Sequence, residues 1–271
     1  PADTHQPEPP PSPDGPLRTD EQLVAFVLQG YRRGWFLMAD PRTHDDVIEW
    51  VQPRERALIP LDHRFRIPRS LAQRVRSRRF LITTDHAFAT VISACASVPR
   101  PRDATDDASS STWLCPGIIR AFLALRNQGH AHSIEAWLPI DQTPRPAAEL
   151  LLVRNLGPHS TPHVLVGGLY GVALGRVFCG ESMFHRPDLG GTDASKVCLV
   201  HLVHHLRARG FALLDSQIAN DHVAQFGMEE IPAEQYLTQL AQLRDQNTEW
   251  QPFTPAHLTK GALLSASLGS A

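Results

Sequence analysis

No stretch of this 271-residue chain approaches the run of about 18 apolar residues that a membrane span requires. Its first residues also lack the basic, apolar and small-residue succession of a secretory signal, so a cytoplasmic location is expected. Cysteine is scarce. Cys95, Cys115, Cys179 and Cys198 stand far apart with no C-x-x-C pair, which argues against a zinc knuckle and a disulfide framework and for reduced thiols. Lysine is scarcer still, with only Lys196 and Lys260 among 26 cationic residues. Positive charge is therefore carried by arginine, whose planar fork suits carboxylate and phosphate.

What is present is an ordinary apolar fraction, 42%, enough for a real core. The net charge of −2 conceals an asymmetry: seven arginines fall between Arg64 and Arg79 with no acid among them. One face is expected to be basic. Residues 1–18, rich in proline and poor in large apolar side chains, predict a disordered tail. From Thr19 or Asp20 as cap, a helix is predicted through Glu21 to Gly34, and a second, basic one over Arg69–Arg79. Phe80–Thr83 reads as a short strand, Asp85 as the cap of a helix reaching Cys95, and residues 97–111 as a mobile loop. A helix over Pro116–Asn127 precedes strand candidates His132–Leu138, Val164–Tyr170 and Val172–Phe178, the last two parted by glycine, which suggests an antiparallel meander. Asp193 is the expected cap of a helix carrying Val197, Val200, Val203 and Leu206 and stopped at Gly210. A strand, Phe211–Ile218, and a helix, Gln235–Arg244, complete the reading.

In the strand Phe211–Ile218, alternation places Phe211, Leu213, Asp215 and Gln217 on one face. An apolar row thus ends in two polar side chains, and a carboxylate-to-amide hydrogen bond between them would orient the amide oxygen toward a substrate proton. The plainer reading is a strand emerging into solvent. Upstream, Gly180-Glu181-Ser182-Met183-Phe184 sets an acid in what reads as a loop directly after a strand.

These pieces acquire meaning together. Val166-Gly-Gly-Leu-Tyr-Gly171, Phe178-Cys-Gly-Glu-Ser-Met-Phe184, Ala194-Ser-Lys196 and Leu214-Asp-Ser-Gln217 resemble, in order and spacing, the motifs of the leucyl/phenylalanyl-tRNA protein transferases. Ala87-Phe88, Cys95-Ala96, Thr112-Trp113 and Ala131-His-Ser-Ile-Glu135 extend the similarity over roughly residues 65–243. The resemblance implies an α+β protein. A small N-terminal domain would span residues 19–63. Residues 64–250 would form an acetyltransferase-like (GNAT-like) domain with a mainly antiparallel sheet flanked by helices, and residues 251–271 a tail. It further implies transfer of leucine or phenylalanine from aminoacyl-tRNA to the α-amine of acceptor proteins beginning with Arg or Lys, a tag for degradation. No cofactor, metal or membrane is called for. Carried over position by position, Asp215 and Gln217 match the proposed catalytic pair and Glu181 the acid that holds the aminoacyl α-amine. Leu169, Phe178, Met183, Leu199 and Leu214 match the apolar side-chain pocket, and Trp113 a tryptophan that stacks near the terminal adenosine.

The chemistry agrees with those residue types. The acceptor amine has a pKa near 8, so its neutral form must be selected or produced before it attacks the ester. The ester is already activated, and placement can supply much of the rate without a covalent intermediate. Arg69, Arg74, Arg76, Arg78 and Arg79 would meet tRNA phosphates, giving salt-sensitive affinity with little sequence readout. A solvated arginine face would have the same composition.

The match is poor over residues 20–63, where the usual Phe-Pro-Trp stands as Phe36-Leu37-Met38, so an aromatic is missing at Met38. Paired tryptophans are reduced to Trp50-Val51, and Ser-Pro-x-Pro-Arg becomes Gln52-Pro53-Arg54-Glu55-Arg56. Two insertions, 98–111 and 141–163, lengthen loops between motifs. His201 and His205 have a zinc pair's spacing but no intervening Glu, and are expected to pack. Trp137 and Trp250 read as core. Lys196, near a helix start, would face phosphate or make a surface contact.

Three alternatives stand beside this reading. One is a related transferase with another amino acid or acceptor, and the second a tRNA-binding protein without catalysis. The third is an acetyl-CoA enzyme, to which Arg154-Asn-Leu-Gly157 is faintly similar. Leucine and phenylalanine differ in an apolar pocket by only ~1–3 kcal/mol, so their ranking is not in the sequence.

Overall fold

A computed structural model describes residues 8–10, 19–39, 48–98, 112–144, 153–154, 156 and 161–252. Most of the expected tail, nearly all of the loop 97–111, much of the second insertion and residues 253–271 lie outside these. The first helix, α1 (Asp20–Arg32), is held at its start by a capping box. Thr19 Oγ1 accepts the Gln22 amide, and the Gln22 side chain accepts the Thr19 amide. The chain turns out at Gly34, whose φ is +81°. A two-stranded ribbon follows, β1 (Phe36–Ala39) against β2 (Ile48–Val51).

Among the described residues the main sheet has eight strands. Its path runs β10 (Glu229–Pro232), β3 (Glu55–Ile59), β9 (Leu213–Gln217), β8 (Val177–His185), β7 (His163–Leu174), β5 (Ala131–Pro139) and β4 (Leu81–Thr84), with β6 (Val153–Arg154) also on β7. Every pair is antiparallel except β8 with β9. The expected meander is broken there because α5 (Ala194–Ala208) crosses over between the two strands, and such a crossover returns the chain parallel. The α+β class with a mainly antiparallel sheet is as anticipated.

Two apolar layers cover the sheet. On one side lie α1, α3 (Phe88–Ser97) and α4 (Pro116–Asn127), with Val91, Ile118, Phe122 and Leu125 buried together. Full burial of each such large side chain contributes about 1.5–3 kcal/mol. On the other side α5 and α2 (Arg69–Arg76) bury Val200, Val203, Leu206, Leu71 and Val75. Among the described residues no helix is long and apolar enough to cross a membrane. After the short α6 (Asp221–Ala224), the last helix among the described residues, α7 (Ala233–Leu243), follows β10 at the sheet edge.

Five local expectations need correction. The strand predicted over Val164–Tyr170 runs on through Gly171 to Leu174 as β7, and Val177 and Phe178 of the next candidate already belong to β8. Gly171 serves close packing there, since a Cβ would stand 2.3 Å from the Cys179 carbonyl oxygen. The reversal falls instead at Gly175, φ +55°. Gly180–Phe184, read as a loop, continues β8. Asp85 does not cap α3, whose first turn begins after Ala87 without a side-chain cap. It sits at φ +62° and accepts the Ser133 amide at 2.9 Å. Asp193 likewise precedes α5 in a left-handed conformation without a side-chain cap bond, and α2 ends at Arg76, short of Arg79.

Candidate active site

β8 and β9 pair only through Val177/Leu213, Phe178/Leu214 and Cys179/Asp215. Beyond those positions the residues of both strands line a cavity of about 780 Å³. Two irregularities aim side chains into it. On β8, Gly180 faces Gly171 and Ser182 faces Tyr170, so Glu181 is an extra residue with no opposite number. On β9, Asp215 faces Leu58 and Gln217 faces Ala57, so Ser216 is extra, and its hydroxyl donates to the Ala57 carbonyl at 3.1 Å. Bulges of this kind re-aim a side chain at the rim of a sheet. Gln217, after the second bulge, takes φ +61°.

The two acids sit in opposite circumstances. Asp215, fully buried, accepts from Arg56 Nε at 2.9 Å and from the Gln217 amide at 2.8 Å through Oδ1. Through Oδ2 it accepts from Arg56 Nη2 at 2.6 Å and the Tyr236 hydroxyl at 2.8 Å. Burial works against the Arg56 charge, but the Asp215 carboxylate outweighs it and the guanidinium is held protonated. The expected side-chain bond from Gln217 to Asp215 is absent, because Asp215 takes the backbone amide instead. The Gln217 side chain turns to Glu181, donating from Nε2 at 3.0 Å.

Glu181 Oε1 also accepts from the Tyr31 hydroxyl at 2.8 Å, whereas Oε2 is shielded from bulk solvent without a hydrogen-bond partner among the described residues. Burial raises Glu181 to about 8; the Tyr31 bond and Arg56 pull the other way, and the Asp215 charge adds to the rise. Burial and the nearby Glu181 also push Tyr31 well above the usual phenol range.

Of the predicted pocket residues, Leu169, Met183, Leu199 and Leu214 line the cavity. Phe178 does not. It is fully buried beneath, stacked on Trp250 with centroids 5.4 Å apart. Trp113 and Met38 also line the cavity, and the Ala39 amide donates to the Trp113 carbonyl at 3.3 Å, tying β1 to the segment that carries Trp113. The arginines sit elsewhere. Arg69, Arg76, Arg78 and Arg79 are exposed on and after α2 and Arg74 is half-buried, all outside the cavity lining. Arg79 places its guanidinium beside Gly190, in the turn that follows the cavity residue Pro187.

His201 and His205 pack inward, the latter edge-on to Trp250 at 4.6 Å. Burial lowers His201 to about 3 and His204 to about 4. Trp137 is core, its indole donating to Thr83 Oγ1 at 2.7 Å. Lys196 lines the cavity with its ammonium 3.7 Å from Asp193. Arg154 lies in β6, while Asn155 and Gly157 are outside the described residues.

Sequence reasoning missed three residues, Arg56, Tyr31 and Tyr236. The only signal was the arginine closing Gln52–Arg56. Their partners lie 159, 150 and 21 positions away, beyond the reach of any local pattern.

The leucyl/phenylalanyl-tRNA protein transferase profile matches residues 58–142 and 160–241, and that family's N-terminal domain profile matches residues 23–54. Arg56 falls between the two matches. A leucyl/phenylalanyl-tRNA–protein transferase of Salinibacter ruber is 38% identical over 237 residues, covering 88% of this chain and 87% of its own. Proteins of the same name from Rhizorhabdus wittichii and Novosphingobium aromaticivorans are 42% and 39% identical. They cover 79% and 90% of this chain, and 72% and 77% of their own. Among solved structures, FemX aligns with a TM-score of 0.42 at 12% identity, over 79% of this chain and 70% of its own. With both profiles and relatives at this identity agreeing over most of its length, the chain belongs to the leucyl/phenylalanyl-tRNA protein transferase family.

Proposed function

We propose that this protein transfers leucine or phenylalanine from aminoacyl-tRNA to the N-terminal α-amine of proteins beginning with Arg or Lys. In a chain of this family, the observation that carries the reading is Glu181, a lining residue of the largely apolar cavity whose buried Oε2 has no hydrogen-bond partner among the described residues. Leu169, Met183, Leu199 and Leu214 would receive the side chain of the aminoacyl group, and Glu181 would accept hydrogen bonds from its α-amine. Trp113 would stack near the terminal adenosine, with Met38 beside it a flexible apolar surface in place of an aromatic.

Gln217 spends its amide nitrogen on Glu181, so its carbonyl oxygen remains to receive a proton of the attacking amine. The acceptor nitrogen then bonds to the ester carbonyl carbon. The bond from that carbon to the ribose oxygen breaks, and the proton lost by nitrogen ends on the ribose oxygen. No electrons change hands. Asp215 contributes through Gln217, because both of its oxygens are engaged by neighbours. Exposed Asp221 on the cavity wall offers a carboxylate to a cationic first residue of the acceptor. Arg69, Arg74, Arg76, Arg78 and Arg79 would meet tRNA phosphates, and Arg79, beside the cavity rim, is best placed for the acceptor end.

Labelled leucine or phenylalanine on tRNA, offered with peptides beginning with Arg, Lys, Asp or Met and with an acetyl-CoA control, tests this. Label on the Arg and Lys peptides alone is expected. Label on another peptide would keep the chemistry and replace the acceptor, and tRNA binding without transfer would sink the reading. The changed residue at Met38 favours an altered acceptor as the runner-up.

A further inference from the structure

We infer that Arg56 is a positioning residue for the transfer, a buried clamp that fixes the β9 bulge in the one shape presenting Gln217 to Glu181. This rests on the proposed activity. Arg56 is 1% exposed and uses its whole fork: Nε and Nη2 hold Asp215, and Nη1 donates to the Gly34 carbonyl at 3.1 Å. Its flat faces are covered by the Tyr236 ring, 4.4 Å from the guanidinium carbon, and by the Phe36 ring at 5.0 Å. The clamp thus gathers the turn after α1, strand β1 and helix α7 around the end of β9.

The chain of contacts continues toward the cavity. Asp215, immobilised by Arg56 and Tyr236, accepts the Gln217 amide. That bond supports a non-glycine residue at φ +61°, a conformation that costs on the order of 1–3 kcal/mol and persists only where its surroundings impose it. Gln217 in turn reaches Glu181.

A buried ion pair is a poor device for stability alone, since well-packed apolar replacements are often neutral or better. Setting one directly beneath the reactive end of a strand makes sense as a specifier of geometry. Lysine, a point charge without a fork, could neutralise Asp215 but could not hold both oxygens and the Gly34 carbonyl together. Arg56 also keeps Glu181 from facing a bare neighbouring carboxylate, and so favours its ionised form.

The test compares wild type with Arg56→Lys and Arg56→Met in single-turnover transfer from charged tRNA, with tRNA affinity measured separately and rates followed over pH. Both variants are expected to bind charged tRNA as wild type does. Transfer should fall roughly 100-fold in Arg56→Met, the scale of a small misplacement of reacting groups. The acid limb of the pH profile should move to higher pH in Arg56→Met and stay in place in Arg56→Lys, which nevertheless remains slow. Wild-type rates in both variants, or an unmoved limb in Arg56→Met, would overturn the inference. Should Arg56→Met fail to fold, Arg56→Lys decides by rate together with its crystal structure: Gln217 out of the left-handed region supports the clamp, and Gln217 unmoved refutes it. If wild type transfers nothing, the proposed activity has failed, and that structure alone judges the clamp.

Discussion

Two buried polar networks lie in the same sheet, separated by β7. In the first, on β4 and β5, Glu135 takes the Ser133 and Thr83 hydroxyls at 2.5 Å each and the Ala87 amide at 3.3 Å. Asp85 takes the Ser133 amide, His132 at 2.9 Å and the Trp250 indole at 3.1 Å. All four oxygens are occupied. In the second, around Asp215, the inner carboxylate is equally saturated, but Glu181, which lines the cavity, keeps one buried oxygen without a hydrogen-bond partner among the described residues. Both networks support a non-glycine residue in the left-handed region, Asp85 in one and Gln217 in the other. A closed network is a means of holding the chain. The open one costs desolvation without return, which is the mark of a group kept for a ligand.

The largest break in this comparison should come from Asp215→Asn, which strands the Arg56 charge in the interior. A loss of about 3–5 kcal/mol in denaturant unfolding is expected, together with loss of transfer. A near-neutral result would mean that solvent reaches Arg56. Glu181→Gln should act in the opposite sense on stability. The native carboxyl titrates at about 8, well above its unfolded value, so between roughly pH 4.5 and 8 the native state binds more protons than the unfolded one. Its contribution is therefore full below the unfolded pKa and is lost as pH rises through that window. Removing it should stabilise by about 3 kcal/mol near pH 7, less at pH 5, while slowing transfer about 100-fold. Thermal melts that show no pH-dependent gain would deny Glu181 its raised pKa.

Thr83→Val tests the closed network. It removes a donor to Glu135 and an acceptor for Trp137, for an expected cost of about 1–3 kcal/mol with the transfer rate of folded protein unchanged. A catalytic defect at wild-type-like folding would show that the two networks are coupled. The smallest effect on folding belongs to Arg76→Glu with Arg79→Glu, both exposed. Melting should barely shift, while tRNA binding weakens and its salt slope flattens by up to about 2. Unchanged binding would remove α2 from the tRNA interface.

Local patterns were readable where local forces decide. Helix α4 begins at Pro116 and ends at Asn127 as periodicity predicts, and Thr19 caps α1 through side chains three residues apart. They misled where a distant neighbour decides. Gly171 looks like punctuation but lies within β7, and the run after Gly180 looks like a loop because nothing local announces the two strands that flank β8 there and before. The apolar residues of the cavity could be named from motif order, yet Phe178 faces the layer beneath, since β8 reaches Cys179 before the strands part.

The sequence by itself determined the α+β class, the order of helices, the basic character of α2 and, through ordered motifs, the family and three of the polar residues at the site. Those follow from short-range periodicity and residue chemistry. Only the tertiary structure decided which carboxylate is free. Whether an acid is spent on an ion pair or open to a substrate depends on Arg56, Tyr31 and Tyr236 arriving from three separate elements, and on bulges that turn Glu181 and Gln217 toward each other. Burial and pairing are properties of that assembly, and no stretch of chain carries them alone.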